Sequence, residues 1–148
     1  MKKKSKVILV CVLALAVLYS LVWLINVKYV YSPWTRVVPK HESGLYVLYD
    51  EKTNFIYNVK PPTFPSFTGN LGVSDNEGSG LIIWPGFFGK NYEYGVMIQE
   101  EGTTYEIHLD DQMKILDEDE ALQKVYRKNQ TLIREMWESA EKMWDLDF

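Results

Sequence analysis

The chain has 148 residues, a net charge of −4 and a single cysteine, Cys11. This length allows about one domain, and a lone cysteine excludes a disulfide framework. Residues 28–148 carry 12 Lys plus Arg against 20 Asp plus Glu, a net charge of −8. A nucleic-acid-binding surface needs clustered cations, so this excess of acids argues against such a partner.

The first predicted element is an apolar helix. Residues 7–27 form a run of 21 residues without a charged side chain. A helix of that length measures about 31 Å, which matches a hydrocarbon core of about 30 Å. The run is apolar on all sides, whereas a buried helix normally keeps a polar stripe. We therefore expect a transmembrane helix over 7–27, preceded by a basic tip over 1–6.

A cleaved signal peptide is the alternative for this run. Signal peptides have an apolar region of about 7–15 residues followed directly by small residues at the cleavage site. Here the one Ala-x-Ala motif, Ala14 to Ala16, lies inside the run, and the residues after it are Lys28 and Tyr29. The sequence favours an uncleaved anchor in contact with the lipid bilayer.

The distribution of cations predicts the orientation of the anchor. The tip holds four lysines, at positions 2, 3, 4 and 6. The positive-inside rule then predicts a cytoplasmic N-terminus, an extracytoplasmic C-terminal part and a single pass through the cell membrane. Trp23, Tyr29, Tyr31 and Trp34 at the exit end fit an aromatic belt. Because the C-terminal part is acidic, we expect it to stand off anionic lipid.

A juxtamembrane stalk is predicted over 28–42. Pro33 and Pro39 disfavour a continuing helix and favour extended backbone. After it, residues 44–49 and 53–59 are rich in β-branched and aromatic side chains and predict a hairpin. Residues 81–84 predict a short strand, and the alternation over 92–99 and 105–110 predicts a second hairpin with one apolar face.

The C-terminal segment has a helical period. Asp117 and Glu120 have the spacing of a capping box, and apolar side chains then recur every three or four residues to Trp144. We expect one long amphipathic helix packed on the apolar face of a small antiparallel sheet, which is an α+β domain over 43–148.

The sequence contains no recognisable catalytic or metal-binding motif. His41 and His108 lack the spacing of metal ligands, and the calcium-like loop from Asp75 to Gly80 has Gly86 where a bidentate carboxylate is needed. No serine lies in a G-x-S-x-G motif, and no glycine-rich loop has the spacing of a phosphate-binding loop. We predict no catalytic residue, no cofactor and no metal.

Aromatic side chains in Pro/Gly-rich segments are the candidate partner-binding residues. These are Phe64, Phe67, Trp84, Phe87 and Phe88. Rings in loops can anchor a partner. The alternative is that they close an open edge or end of the sheet.

These features predict a membrane-anchored, extracytoplasmic binding module without catalytic activity. An immunity-type or accessory protein that captures a protein or peptide, most simply a basic one, fits the acidic domain. A second hypothesis is a small extracytoplasmic hydrolase of envelope material that uses two carboxylates with different pKa values. A third is a subunit of a membrane complex, recognised through its transmembrane helix, although this helix lacks a G-x-x-x-G motif.

Overall fold

A single long helix opens the fold in a computed structural model that describes residues 2–146. Helix α1 spans Lys2–Asn26, a π-helical turn follows at Val27–Tyr31, and helix α2 spans Ser32–Val37. The helical run Lys4–Val37 is 34 residues long, and it is the one helix in 2–146 that is long and apolar enough to cross a membrane. Met1 of the predicted tip and residues 147–148 of the predicted domain lie outside the described residues.

The prediction of an extended stalk is wrong for residues 28–37, which are helical; the helix ends at Val37. Pro33 lies in the first turn of α2, a position at which proline is tolerated because the backbone N–H there needs no partner within the helix. The wider π-helical turn before it accommodates the break in the hydrogen-bond ladder. The chain becomes extended at Val38, just before Pro39.

Six antiparallel strands follow in a simple meander. They are β1 Tyr46–Asp50, β2 Phe55–Lys60, β3 Asn70–Ser74, β4 Gly80–Pro85, β5 Tyr92–Glu100 and β6 Thr103–Leu109. Each strand pairs with its neighbours in sequence, so the order across the sheet is β1-β2-β3-β4-β5-β6. Both predicted hairpins and the predicted strand at 81–84 are confirmed, and β3 is an addition.

The register produces two rows of apolar side chains on one face of the sheet. One row crosses from Leu48 through Tyr57, Val73, Leu81 and Val96 to Ile107. The other crosses from Tyr46 through Val59, Leu71, Ile83 and Tyr94 to Leu109. Because side chains alternate between faces along a strand, these rows form one continuous buried surface.

Two C-terminal helices cover this face. Helix α3 spans Glu120–Lys128 and helix α4 spans Gln130–Trp144. The α+β fold is as predicted, but the expected single helix is divided at Asn129, whose φ of −107° and ψ of 13° break the helical geometry. The side chain of Asp119 caps α3 by accepting hydrogen bonds from the backbone N–H groups of Ala121 and Leu122.

The hydrophobic core includes residues of the N-terminal helix. Val30, Tyr31, Trp34 and Val38 are buried in the same cluster as the sheet and α4. The division of the chain at residue 43 stays a prediction, but these four side chains precede it and belong to the core of the domain. Helix α1 is therefore joined to the domain by a packed connection.

Candidate functional site

Four of the five candidate aromatic residues form one set of ring contacts, and two of them, Phe64 and Phe67, pack directly on helix α1. The loop between β2 and β3, residues 61–69, carries Phe64 and Phe67, and both pack edge-to-face on Tyr19, with ring centroids 6.0 and 5.3 Å away. Phe64 also packs on Trp23, at 5.6 Å. We call residues 61–69 the phenylalanine loop. Such edge-to-face pairs contribute about 0.5–1.5 kcal/mol each beyond the area they bury.

Residues 86–90, in the connection between β4 and β5, extend this aromatic contact. Phe87 packs on Phe67 with ring centroids 5.3 Å apart, and Phe88 packs on Phe87 at 4.4 Å. We call residues 86–90 the diphenylalanine turn. Together the two segments and α1 form one connected set of rings, the aromatic cluster: Tyr19, Trp23, Phe64, Phe67, Phe87 and Phe88.

Polar atoms of the helix hold the phenylalanine loop in place. The hydroxyl of Tyr19 donates to the carbonyl oxygen of Pro65 at 2.6 Å, and the indole Nε1 of Trp23 donates to the carbonyl oxygen of Ser66 at 2.7 Å. At the end of the loop, the backbone N–H of Gly69 donates to the hydroxyl of Tyr31 at 3.0 Å. Side chains of the N-terminal helical run therefore satisfy backbone groups that the irregular loop leaves unpaired.

Asn26 holds the diphenylalanine turn in the same way. Its side chain is 1% exposed, and its Oδ1 accepts a hydrogen bond of 2.9 Å from the backbone N–H of Phe88. Phe88 adopts a left-handed conformation with φ of 57°, which is unusual for a bulky residue. The turn is thus fixed in a strained conformation by a buried amide that belongs to α1.

The outer rings of the cluster are open to the surroundings. Phe64 is 56% exposed, Phe87 54% and Phe88 43%. Apolar side chains of α1, including Leu18 and Leu21, are exposed as well. The alternative from the sequence, that the rings close the end of the sheet, does not describe these three rings, which leave about half of their surface uncovered. Phe67 is partly buried between Tyr19 and Phe87.

Trp84 belongs to a different surface. It lies on β4 and points to the face of the sheet opposite the helices, where its ring packs over Gly95 of β5: a Cβ atom at Gly95 would lie 3.0 Å from Trp84 Cζ3. Trp84 lines an open cleft of about 480 Å³ together with Phe67, Phe87, Lys90 and Glu93. The cleft thus connects the uncovered sheet face to the aromatic cluster.

The charges of the domain are separated along the strands. The three tight turns at one end of the sheet carry six acids: Asp50, Glu51, Asp75, Glu77, Glu100 and Glu101. Residues 61–74 and 78–89, which include the phenylalanine loop and all of the diphenylalanine turn except Lys90, contain no charged side chain. The aromatic cluster therefore lies at the uncharged end of the strands, away from the acidic turns.

Glu100 shows how the acidic end is tied to the C-terminal helices. Its carboxylate accepts a hydrogen bond of 2.7 Å from Asn129 Nδ2 and lies 3.1 Å from Lys128 Nζ. These hydrogen bonds, followed by the positive charge of Lys128, lower the pKa of Glu100 below its ordinary value. A general acid requires a raised pKa, so the environment of Glu100 does not suit that role, and its carboxylate serves as a structural contact with the C-terminal helices.

The histidines and acids do not assemble a metal centre in the part of the chain that the structure describes. Within residues 2–146, no group of three or more His, Cys, Asp or Glu side chains is placed to hold a metal ion. His108 lies on the exposed side of β6, with Nδ1 3.6 Å from the carboxylate of Asp117. His41 contacts the neighbouring Ser43.

Sequence reasoning found the rings of the two loops but missed their partners on the helix. The structure brings together the rings of Phe64, Phe67, Phe87 and Phe88. Trp84 lies on the sheet outside these ring contacts, but it lines the same cleft as Phe67 and Phe87. Tyr19 and Asn26 were not candidates. The available signal was that they are among the few residues with polar side-chain atoms in an otherwise apolar run, where such residues usually have a partner.

Comparison with known proteins adds no assignment to this geometry. Neither the protein-family models, nor the curated proteins, nor the solved structures contain a match to the chain.

Proposed function

We propose that this protein is a single-pass membrane protein that presents a non-catalytic binding domain outside the cytoplasm. In this proposal residues 7–27 cross the bilayer, the lysine-rich tip is cytoplasmic, and the domain captures a protein or peptide close to the membrane. The observation that carries the proposal is the packed connection between the apolar helix and the core of the domain through Tyr31 and Trp34.

Exposure of the helix supports membrane insertion over the two alternatives. All side chains from Val7 to Leu18 are exposed, so the segment is not a core helix of the described domain. Cleavage as a signal peptide would sever or remove a helix whose continuation supplies four core residues and the partners of both aromatic segments. A domain built in this way is expected to keep its helix.

The uncovered face of the sheet supports a binding function. Trp84 and the adjoining cleft offer a half-buried aromatic ring beside Lys90 and Glu93, and aromatic rings in clefts are frequent anchors of partners. The acidic turns at the far end of the strands favour a basic partner, because complementary charge accelerates encounter. An immunity-type or accessory protein is the class that we favour.

Topology can be tested by cysteine accessibility in intact cells. In a Cys11→Ala background, Asn76→Cys in an exposed acidic turn should react with a membrane-impermeant maleimide, whereas Ser5→Cys in the tip should react only after the cells are permeabilised. The reverse pattern, or full reactivity of both positions in a soluble fraction, would contradict the proposed anchor and its orientation.

Binding can be tested with a photo-crosslinking residue in the full-length protein in cells. We expect a discrete adduct from position 84 in the cleft and none from Glu138, an exposed residue of α4 used as the matched control. Neutralising the exposed turn acids by Glu51→Gln, Glu77→Gln and Glu101→Gln should reduce the yield if the partner is basic. The same adducts from both positions, or no adduct at all, would count against a binding module.

A further inference from the structure

We propose that the phenylalanine loop and the diphenylalanine turn are inserted into the leaflet on the domain side of the membrane, with their exposed rings among the lipid acyl chains. The protein would then hold the bilayer by one helix and two aromatic loops. This inference rests on the proposed membrane span, and the experiment below separates the failure of one from the failure of the other.

The length of the apolar run is the first argument. The run ends at Val27, immediately before Lys28, yet the loop contacts reach back along the helix to Trp23 and Tyr19. At 1.5 Å per residue, Tyr19 lies about 12 Å inside the end of the run. If lipid stopped short of the loops, only residues 7–18 would remain in the hydrocarbon.

A span of residues 7–18 is too short for a bilayer. Twelve helical residues measure about 18 Å, against a hydrocarbon core of about 30 Å. The missing length could be recovered only by drawing the lysines of the N-terminal tip into the hydrocarbon, where charged side chains are strongly disfavoured. Inserting the two loops, which carry no charge over residues 61–69 and 86–89, avoids both penalties.

The backbone of the loops is the second argument. Irregular backbone at membrane depth is tolerated only where the protein satisfies its polar groups. Here Tyr19 and Trp23 donate to the carbonyl oxygens of Pro65 and Ser66, and Asn26 accepts from the N–H of Phe88. In water these groups would need no such partners, because solvent would pair with them.

Within the loops, the remaining turns are closed by local bonds. The N–H of Ser66 donates to the carbonyl oxygen of Thr63 at 2.8 Å, and the N–H of Gly89 donates to the carbonyl oxygen of Gly86 at 2.9 Å. Pro61, Pro62 and Pro65 have no N–H to satisfy. The sequence of the phenylalanine loop thus lowers the number of donors that lipid would leave unpaired.

The distribution of charge is the third argument, and on this point the inference departs from the expectation that the acidic domain stands off anionic lipid. That expectation used the net charge of residues 28–148, which does not describe the end of the sheet beside the helix. Both loops are uncharged up to Lys90, whose ammonium group is suited to the phosphate level next to the diphenylalanine turn. The acidic turns lie at the opposite end of the strands.

Depth-dependent fluorescence quenching in reconstituted vesicles tests the inference with the full chain. In the Cys11→Ala background, Phe64→Cys and Phe88→Cys are labelled with an NBD fluorophore in phosphatidylcholine vesicles that contain lipids with nitroxide-labelled acyl chains. Thr63→Cys, which removes no ring, provides a second reporter in case loss of a phenylalanine disturbs the loop. Leu13→Cys reports the span itself, and Asn76→Cys reports an exposed acidic turn.

We expect blue-shifted emission and strong nitroxide quenching at positions 13, 63, 64 and 88, and quenching by aqueous iodide only at position 76. Lipid quenching at position 13 combined with iodide quenching at positions 63, 64 and 88 would overturn the inference and leave the span intact. Iodide quenching at all five positions would overturn both. Loss of lipid quenching at position 88 as the protein-to-lipid ratio rises would assign these rings to a second copy of the chain and also overturn the inference.

Discussion

Replacement of Trp34 by alanine tests whether the segment after the apolar run belongs to the domain. Trp34 lies on α2, is 7% exposed, and packs edge-to-face on Tyr31 with ring centroids 5.4 Å apart. An extended stalk would make this tryptophan dispensable. The packed connection makes it one of the largest side chains in the core.

The expected cost follows from the buried area. An aromatic side chain buries about 150–250 Å², and at about 25 cal/mol per Å² its removal from water contributes about 4–6 kcal/mol as an upper limit. Since an alanine side chain still buries part of this area, Trp34→Ala should lower the free energy of unfolding of the domain by about 3–5 kcal/mol. A domain of about 120 residues has an unfolding entropy near 0.25 kcal/mol/K, so the melting temperature should fall by about 12–20 °C.

The assay is thermal unfolding of the full-length protein in nanodiscs, followed by far-ultraviolet circular dichroism of the sheet. Tyr29→Ala is the matched control, because Tyr29 lies on the same helical run but is 75% exposed. It should change the melting temperature by less than about 2 °C, since exposed positions away from special contacts usually shift stability by under about 0.5 kcal/mol. Equal melting temperatures for the two variants would refute the inclusion of α2 in the core.

Three further predictions concern the site and its supports. Asn26→Ala leaves the N–H of Phe88 without its acceptor and should destabilise the diphenylalanine turn by about 1–3 kcal/mol, seen as faster hydrogen exchange at that amide; unchanged exchange would contradict this bond. Gly95→Val places a side chain against the ring of Trp84. It should shift the ¹⁹F resonance of fluorotryptophan at position 84 and abolish the photo-crosslinked adduct from that position. An unchanged resonance together with normal crosslinking would contradict the packing of Trp84 over Gly95. Burial, then the charges of Tyr92 and Asp111, raise the pKa of Tyr94 to about 12. The folded state therefore holds the phenol proton more tightly than the unfolded state, and the free energy of unfolding should fall as pH rises from 10 towards 12. A Tyr94→Phe variant whose stability falls just as steeply over this range would contradict the assignment.

Patterns within single elements predicted most of the fold. The alternation around Val96 and Ile107 specified a hairpin because one face of the sheet is covered and the other is not. Strand β3 escaped prediction because its five residues hold only two large apolar side chains, Leu71 and Val73, on either side of a glycine. Gly72 makes room for the side chain of Asn58 on β2, because a Cβ atom at Gly72 would lie 2.6 Å from Asn58 Nδ2 unless that side chain moved. That contact between strands cannot be seen in the strand's own pattern.

The ends of helices were predicted less well than their existence. Pro33 suggested a stop, but the π-helical turn before it allowed the helix to restart, which depends on the packing of Tyr31 and Trp34 rather than on local preference. The division of the C-terminal helix at Asn129 also involves a tertiary contact: the side-chain amide of Asn129 donates to Glu100 on β5, in addition to a local hydrogen bond to the carbonyl oxygen of Val125. Neither the packing of Tyr31 and Trp34 nor the contact of Asn129 with Glu100 can be predicted from the periodicity of apolar residues in the sequence.

The candidate site could be predicted only in part for the same reason. Rings in proline- and glycine-rich loops identified the Phe64 and Phe88 segments, because aromatic side chains are uncommon where the chain turns. The helix residues that hold these segments are far away in the sequence: Tyr19 lies 46 positions before its hydrogen-bond partner Pro65, and Asn26 lies 62 positions before Phe88. Local sequence patterns contain no information at that separation, and only the folded chain brings the two sets together.

The meander has a consequence for how the protein is made. Each strand pairs with the one synthesised just before it, so the sheet can assemble progressively as the chain emerges behind its N-terminal helix. Its apolar face, however, is covered by α4, which follows all six strands in the chain, through Met136, Ala140 and Trp144 among others. Until those residues are synthesised, the N-terminal helix is followed by a complete sheet whose apolar face is uncovered. We expect chains cut short before α4 to be captured by chaperones or degraded, although every strand is present.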